Sequence, residues 1–253
     1  MVTDSTISYR SLKPETSLTG FVESFWMLEN KADRAHEIVV VPNGRFDIVF
    51  FHTPDNPYHV MLMGLETEPQ KSTIPPKAII FAISFRLLAI EYLLDMKTAA
   101  IINTAYALPS DFWGISSDDL NDFEQFCYKV SVKMRSLIRT DIDNRKQELF
   151  ELIYTSKGAL SVKELSEKVF WSSRQINRYF KEYFGISLKA YSNIIRFKES
   201  LPHLLEGKLF PELNFTDQNH FIKEIKRLSG VLPKELSKDV NDRFLLFHSI
   251  PNK

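Results

Sequence analysis

The stretch 160–185 reads LSVKELSEKVFWSSRQINRYFKEYFG and contains two helix signals in close succession. Ser161 followed by Glu164 forms a capping box, which predicts the start of a helix, and the same signature recurs at Ser172. Gly185 supplies the left-handed residue at which the second helix should end. The spacing therefore predicts two short amphipathic helices joined by a tight turn, which is the layout of a helix-turn-helix.

The second predicted helix separates apolar and polar residues onto opposite faces. Ile176, Phe180 and Phe184 recur every fourth residue and should face the core. The opposite side carries a continuous polar stripe, which consists of Arg174, Asn177, Arg178 and Lys181. Arg binds guanine edges or phosphates, Asn pairs with adenine and Lys neutralises phosphates, so the stripe suits a major groove. A solvated surface helix shows the same separation, and the stripe alone leaves both interpretations open.

A second copy of the signal follows in residues 214–236, NFTDQNHFIKEIKRLSGVLPKEL. Asp217 is a capping candidate, Phe221 and Ile225 lie on the apolar face, and Gly230 should end the helix. Because two tandem copies are much less probable by chance than one, the repeat favours a nucleic-acid-binding protein over a solvated surface helix.

Residues 160–236 resemble the DNA-binding domain of AraC/XylS-type transcriptional regulators. The matching positions of the first half are Leu165, Ser172, Arg174, Ile176, Arg178, Phe180, Gly185, Arg196 and Phe197. Those of the second half are Phe215, Asp217, Gln218, His220, Phe221, Lys226, Gly230 and Pro233. The resemblance implies two helix-turn-helix units on a connecting helix. It places base-reading positions on Arg174, Asn177 and Arg178 in the first unit, and on Asn219, His220 and Lys223 in the second.

Three departures from the family pattern bear on the second unit and on the first turn. The segment between Phe197 and Asp217 is shorter than in the family, so we predict that the first helix of the second unit is missing and the segment GKLFPELNF remains. Pro202 is predicted to interrupt and kink a connecting helix over 187–205. Phe170 occupies the position in the first turn at which the family usually carries Gly.

Residues 1–144 differ in character from the rest. Short β-branched or aromatic runs predict strands at 37–41, 46–51, 58–62 and 78–85, separated by the turn signals PNG, TPDNP and IPPK. Helices are predicted at 87–94 and 117–138. The segments FVESFW, VVVPNGRFDIVF, FAISFRLLAIEYLL and LPSDFWG resemble the cupin-like sensory domain of one branch of the same regulators.

The predicted fold class is α+β, with a β-rich sensory or dimerisation domain over 1–144 and an all-α helix-turn-helix domain over 145–253, linked by helix at about 121–155. The zero net charge of the chain conceals an asymmetry between these parts. The first part has 13 Lys and Arg against 19 Asp and Glu, whereas the second has 19 against 13. The part that contains the helix-turn-helix is therefore the basic one, as phosphate contact requires.

The sequence predicts neither a metal centre nor an enzyme. His36, His52 and His59 do not have a ligand spacing, and the common hydrolase, phosphate-loop and dinucleotide motifs are absent, so no cofactor is expected. Aromatic residues with a few polar anchors are typical of small-molecule sites. The candidates for lining an effector pocket are Trp26, Phe46, Asp47, Phe85, Arg86 and Trp113. An ordinary core, with the two charged groups paired or solvated, is the alternative for each of them.

The single cysteine, Cys127, excludes an internal disulfide and fits a reducing cytoplasm. No apolar leader segment and no run of 18 apolar residues is present, so we expect a cytoplasmic protein that does not cross a membrane. The predicted function is that of an AraC-type regulator that binds double-stranded DNA, with a small effector and a homodimer both left open. Two alternatives remain: a regulator-like protein that acts through protein interaction or ligand binding without DNA binding, and a ligand-binding or catalytic barrel with an incidental helical tail.

Overall fold

The structure, a computed structural model, describes residues 6–208 and 217–238 of the 253-residue chain. Its fold class is α+β, as predicted, because a β-rich N-terminal region precedes a helical C-terminal region. The segment after Lys208, in which we predict that a helix is missing, lies outside the described residues. That expectation stays a prediction.

The described strands form a six-stranded and a two-stranded antiparallel sheet. Their bounds are β1 (Ile7–Leu12), β2 (Val22–Asn30), β3 (His36–Val40), β4 (Phe46–His52), β5 (His59–Met63), β6 (Gln70–Ile74), β7 (Ile79–Phe85) and β8 (Ala105–Leu108). The larger sheet has the order β1-β2-β7-β4-β5-β8, and β3 pairs with β6. The strands predicted at 37–41, 46–51, 58–62 and 78–85 coincide with β3, β4, β5 and β7 to within one residue at each end.

The prediction missed β1, β2, β6 and β8. In β2, both faces are covered, because Phe25 belongs to the main core whereas Leu28 belongs to a smaller cluster under β3 and β6. A register shift between Val22 and Ser24 further breaks the alternation. Strands covered on both faces, or interrupted by a bulge, lack the apolar–polar period of two that identifies a strand from sequence.

The helical bounds are α1 (Leu88–Tyr92), α2 (Phe123–Leu137), α3 (Asn144–Thr155), α4 (Val162–Lys168), α5 (Ser173–Phe184), α6 (Leu188–Leu205), α7 (Gln218–Ser229) and α8 (Pro233–Leu236). The single helix predicted at 117–138 is wrong. The structure has a 3-10 helix over Ser117–Asn121, then extended backbone at Asp122, then α2. Asp122 caps α2 because its carboxylate accepts from the backbone N–H of Gln125 at 2.9 Å.

The connector α6 is continuous, so the predicted interruption at Pro202 is also wrong. Pro202 lies in the last turn, where the helix continues to Leu205. Pro202 has no backbone N–H to donate to the carbonyl oxygen of Lys198, so one intrahelical hydrogen bond is lost, but the helix continues for three more residues. The uninterrupted 18-residue helix is about 27 Å long at 1.5 Å per residue.

The two regions share one apolar core. A single cluster of buried side chains runs from Leu18 in the N-terminal region to Leu236 in α8. Phe46 of β4 lies 6.4 Å from Phe184 of α5, measured between ring centroids. In addition, the buried hydroxyl of Tyr191 in α6 donates to the carbonyl oxygen of Gly44 at 3.0 Å. The sheet therefore supports both α5 and α6 directly.

Candidate nucleic-acid interface and inter-region pocket

Capping at both ends fixes the position of α5. The backbone N–H of Gln175 donates to the Ser172 hydroxyl at 3.3 Å, and the backbone N–H of Ser172 donates back to the Gln175 side chain at 3.1 Å. At the other end, Gly185 is left-handed with φ 74°. Both features confirm the predicted helix bounds.

The buried face of α5 anchors it to the N-terminal region. Tyr179 donates from its hydroxyl to Glu91 of α1 at 2.9 Å, and Lys146 of α3 binds the same carboxylate at 2.5 Å. The backbone and hydroxyl of Thr98 both donate to the carbonyl oxygen of Tyr183, at 2.8 and 3.1 Å. These contacts hold the helix from its inner side and leave the opposite side open.

The open side carries the predicted polar stripe. Arg174, Arg178 and Lys181 are exposed, and the two guanidinium groups form no hydrogen bond or ion pair with the described part of the chain. Lys181 makes a weak contact, 3.4 Å from its Nζ to the carbonyl oxygen of Gly185. Asn177 differs, because it is half-buried and its Nδ2 donates to the carbonyl oxygen of Ser173 at 3.0 Å. Three cations thus face outward together.

The turn before α5 contains an unusual residue. Phe170 has φ 52° and an exposed fraction of 89%. The backbone N–H of Trp171 donates across it to the carbonyl oxygen of Ser166 at 3.3 Å, which is the long hydrogen bond of a Schellman motif. Phe170 therefore occupies the left-handed position that glycine usually fills.

The second predicted reading helix, α7, is capped as expected. The carboxylate of Asp217 accepts from the backbone N–H of His220 at 2.8 Å. Asn219 and Lys223 are exposed, whereas His220 is half-buried. Arg227 reaches across to the N-terminal region and donates to the carbonyl oxygen of Thr67 at 3.4 Å. The α7 helix is therefore in contact with the β-rich region as well as with α6 and α8.

A cavity of about 260 Å³ lies between the sheet and the connector α6. Its wall includes polar and aromatic side chains from both regions, namely Tyr9, Ser11, Lys13, Glu23, Ser24, Trp26, Asn43, Arg45, Asp47, Ser84, Lys198 and Glu199, with Val40, Val41, Leu201 and Pro202 as apolar contacts. The last turns of α6 thus form one side of the cavity. Any molecule in it would touch the sheet and the connector at once.

One wall of the cavity is a hydrogen-bonded relay on the sheet. Trp26 donates from its indole N–H to Ser84 at 3.1 Å, and the Ser84 hydroxyl donates to the carboxylate of Asp47, its direct partner across β4 and β7. Burial raises the pKa of Asp47 to about 6, although the hydrogen bonds from Ser84 and Trp26 oppose this shift. The relay offers a ligand a carboxylate and a hydroxyl beside an indole ring.

The other wall is a buried ionic cluster, which we call the Glu23 cluster. The carboxylate of Glu23 binds Arg45 Nη2 at 3.0 Å, Arg86 Nε at 3.1 Å and Lys198 Nζ at 2.9 Å. Burial would raise the pKa of Glu23, but the three cations together hold it well below its ordinary value. Burial and the neighbouring Arg45 lower the pKa of Lys198 to about 8, against the attraction of Glu23. The cluster joins β2 to α6.

The structure brings together only two of the six predicted pocket residues, Trp26 and Asp47. Phe46 and Phe85 are fully buried in the core, and Arg86 lies in the Glu23 cluster with its guanidinium 5.0 Å from the ring centroid of Tyr154. Trp113 stacks on Phe112 at a centroid distance of 4.9 Å. These four side chains do not line the cavity, and their assignment as effector contacts stays a prediction. Ser84 lies directly opposite Asp47 in the pairing of β4 with β7, which the sequence analysis did not predict, and no local signal pointed to Lys198.

The described residues contain no group of three or more His, Cys, Asp or Glu side chains that could hold a metal ion. None of the helices in the described ranges is long and apolar enough to cross a membrane.

Comparisons with known proteins give one family match and several similar structures. A family model described as Domain of unknown function (DUF6597) matches residues 10–107, and no curated protein matches the chain. The crystal structure of ToxT from Vibrio cholerae O395 is similar at 12% identity and a TM-score of 0.45, over 93% of this chain and 100% of that chain. The crystal structure of unsaturated fatty acid bound wild-type ToxT from Vibrio cholerae strain SCE256 is similar at 13% identity and a TM-score of 0.39, over 98% of this chain and 97% of that chain. At these identities and TM-scores, the similarity does not assign a functional role to any residue of this chain.

Proposed function

We propose that this chain is a sequence-specific DNA-binding transcriptional regulator of the AraC type, with α5 as its principal reading helix. The observation that carries the proposal is the stripe of Arg174, Arg178 and Lys181, which is exposed while the opposite face of the helix is fixed to the core. Unpaired guanidinium groups on a rigid helix are what bidentate recognition of guanine and phosphate requires. The positive charge of residues 145–253 adds attraction to any duplex.

The second unit has a smaller part in this proposal. Asn219 and Lys223 are exposed on α7 and could reach DNA, but His220 is half-buried. The contact from Arg227 to Thr67 also ties α7 to the N-terminal region. We therefore assign most of the binding free energy to α5, and only a minor share to Asn219, His220 and Lys223.

The cavity beside α6 is the proposed effector site. Trp26, Asp47 and Ser84 offer stacking and hydrogen bonds on one side, and Lys198 closes the other side from the connector. A molecule that binds one arrangement of sheet and connector more tightly than another shifts the population between them. Because α6 joins the two helix-turn-helix units, such a shift changes how the reading helices are presented. The proposal expects no turnover of the effector and a cytoplasmic location.

DNA binding is tested by selecting a preferred site from a random duplex pool and then measuring binding over a range of salt concentrations. Arg174→Ala and Arg178→Ala should each cost about 1 to 3 kcal/mol at the selected site and relax base preference there. Lys181→Ala should weaken binding to all duplexes and reduce the salt slope by about one. The matched control, Lys31→Ala with Lys71→Ala, removes two exposed cations from the β-rich region and should change little. Unchanged binding by the double Arg variant would exclude α5 as the reader.

Effector binding is tested by thermal shift with a panel of small polar and aromatic compounds, followed by measurement of DNA affinity with each stabilising compound. Ser24→Phe places a ring in the cavity and should abolish the stabilisation. Ser8→Phe adds the same ring to the neighbouring strand away from the cavity and should not. Chemical conversion of a stabilising compound would favour an enzyme instead. Stabilisation retained in Ser24→Phe would place the effector elsewhere.

A further inference from the structure

Phe170 is unusual both in its backbone conformation and in the exposure of its side chain. Its φ of 52° puts a bulky side chain in the left-handed region, which costs free energy for any residue that carries a Cβ. Its ring is 89% exposed, which is the largest exposure among the large hydrophobic residues described. The fold gains nothing from this ring, because glycine would close α4 with less strain.

The neighbours of Phe170 show that the turn itself is well packed. Val169 is fully buried on one side. On the other side, Trp171 packs on Tyr179 at a centroid distance of 5.4 Å, with the Arg145 guanidinium 5.6 Å from its ring. The exposure of Phe170 is therefore a property of this one residue, held outward by ordered residues before and after it.

Cationic side chains lie close to Phe170 in sequence, on α4 and α5. Lys168, Arg174 and Arg178 are exposed and form no ion pair with the described residues. Two acids on the same helices have other partners, since Glu167 lies 3.9 Å from Lys163 and Glu182 lies 2.5 Å from Lys97. Glu164 and Glu182 also attract Lys168 and Arg178, so Arg174 is the cation with the least compensation. An exposed apolar ring close in sequence to exposed cations suits a polyanion that also presents apolar groups, and duplex DNA does so through its deoxyriboses and thymine methyl groups.

We propose that Phe170 is an apolar DNA contact, whose ring packs on thymine methyl and deoxyribose groups at the edge of the major groove entered by α5. This inference rests on the proposed DNA binding. A recognition helix contacts base edges through its N-terminal residues, and Phe170 lies at that end of α5, four residues before Arg174. On this proposal, burial of the ring on DNA offsets the free-energy cost of the left-handed backbone at Phe170, which explains why the strained residue is kept.

The experiment uses the full chain and compares Phe170→Gly and Phe170→Asn with wild type, because both replacements tolerate a left-handed backbone. Both variants should melt about 2 to 4 °C higher, since strain is relieved. Both should bind the selected duplex about tenfold more weakly, which corresponds to burial of roughly half a Phe side chain. The salt slope should not change, because no phosphate contact is lost. Lys77→Gly, which relieves a φ of 53° in the β-rich region, should leave DNA affinity unchanged.

A change in the DNA then identifies the contact. Replacing thymine by uracil, one position at a time, removes single methyl groups from the selected site. At one position this should weaken wild type about fourfold, the value of one buried methyl-sized group, and leave Phe170→Gly unaffected.

Different outcomes would refute the proposed DNA binding and the proposed DNA contact of Phe170. No wild-type binding to any duplex would refute the proposed function itself. Normal wild-type binding with equal affinity for Phe170→Gly would overturn only the inference about Phe170, as would a lower melting temperature of both variants. A loss of self-association without a loss of DNA affinity would assign the ring to a protein partner and overturn it too.

Discussion

Replacing Glu23 by Gln is expected to be among the most destabilising single changes in this protein. One carboxylate forms ion pairs with three cations, and one of them, Arg45, has a side chain only 6% exposed. The Nε of Arg45 already has no acceptor in the described structure. In Glu23→Gln, the amide keeps the size of the side chain but supplies no charge, so Arg45 remains buried and uncompensated.

The expected loss follows from the burial of the partners. Removing one member of a buried ion pair costs about 3 to 5 kcal/mol. The Glu23 side chain is 23% exposed, and water can reach part of the site, so we expect the lower end, about 3 kcal/mol. The pKa of Glu23 is held below its ordinary value, so its stabilisation is complete above that value and is lost as the pH falls below it. The difference between wild type and Glu23→Gln should therefore shrink in acid.

The assay is urea unfolding at neutral pH, with Glu15→Gln as the matched control. Glu15 also binds an arginine, Arg135, at 2.6 Å, but both side chains are more than 40% exposed. Such a surface pair contributes little to stability, because water and salt screen both charges. Equal losses in the two variants would refute the reasoning, because burial would then have no effect on the strength of the Glu23 cluster.

Three further predictions follow from single residues. Burial raises the pKa of Asp47 to about 6, so unfolding of the protein between pH 4 and pH 6 releases a proton. As the pH rises from about 4 to about 6, the free energy of unfolding of wild type should therefore fall by up to roughly 3 kcal/mol relative to that of Asp47→Asn, which melting curves would measure. Gly185→Ala should cost at least about 2 kcal/mol, since its Cβ would lie 2.4 Å from Ile102; Gly207→Ala, with φ 79° and open space around it, should cost less. Replacing Asn219, His220 and Lys223 together by Ala should reduce DNA binding by less than about 1 kcal/mol, and a larger loss would show that the second unit reads DNA fully.

Local patterns in the sequence predicted the helices of the first unit, because helix caps and apolar spacing involve residues only three or four positions apart. The capping boxes at Ser161 and Ser172 and the stop at Gly185 all form as expected. Strands such as β6 were missed because their polar residues are stabilised only by pairing with distant segments. The predicted bounds of 187–205 already placed Pro202 in the last turn of the helix, where few residues follow it, so the predicted interruption overstated its effect.

The Glu23 cluster could not have been predicted at all from spacing. Its members Glu23, Arg45, Arg86 and Lys198 come from β2, the turn before β4, the end of β7 and α6. No periodicity relates them, and only the register of the sheet and the docking of α6 bring them together. We propose that the cluster specifies how the two regions dock, a role that buried polar groups have in some other proteins.

The same cluster makes the proposed coupling testable. Lys198 binds Glu23 near the C-terminal end of α6, while Tyr191, nearer its other end, lies 5.7 Å from Phe180 of α5 between ring centroids. In the proposed coupling, a helix held at both places would transmit displacement from the cavity to α5. Coupling free energy is reciprocal. If the effector changes the affinity for DNA by some factor, then DNA must change the affinity for the effector by the same factor. Lys198→Met should bring this common factor closer to one. An unchanged factor in Lys198→Met would show that the contact of α6 with Glu23 does not connect the two sites.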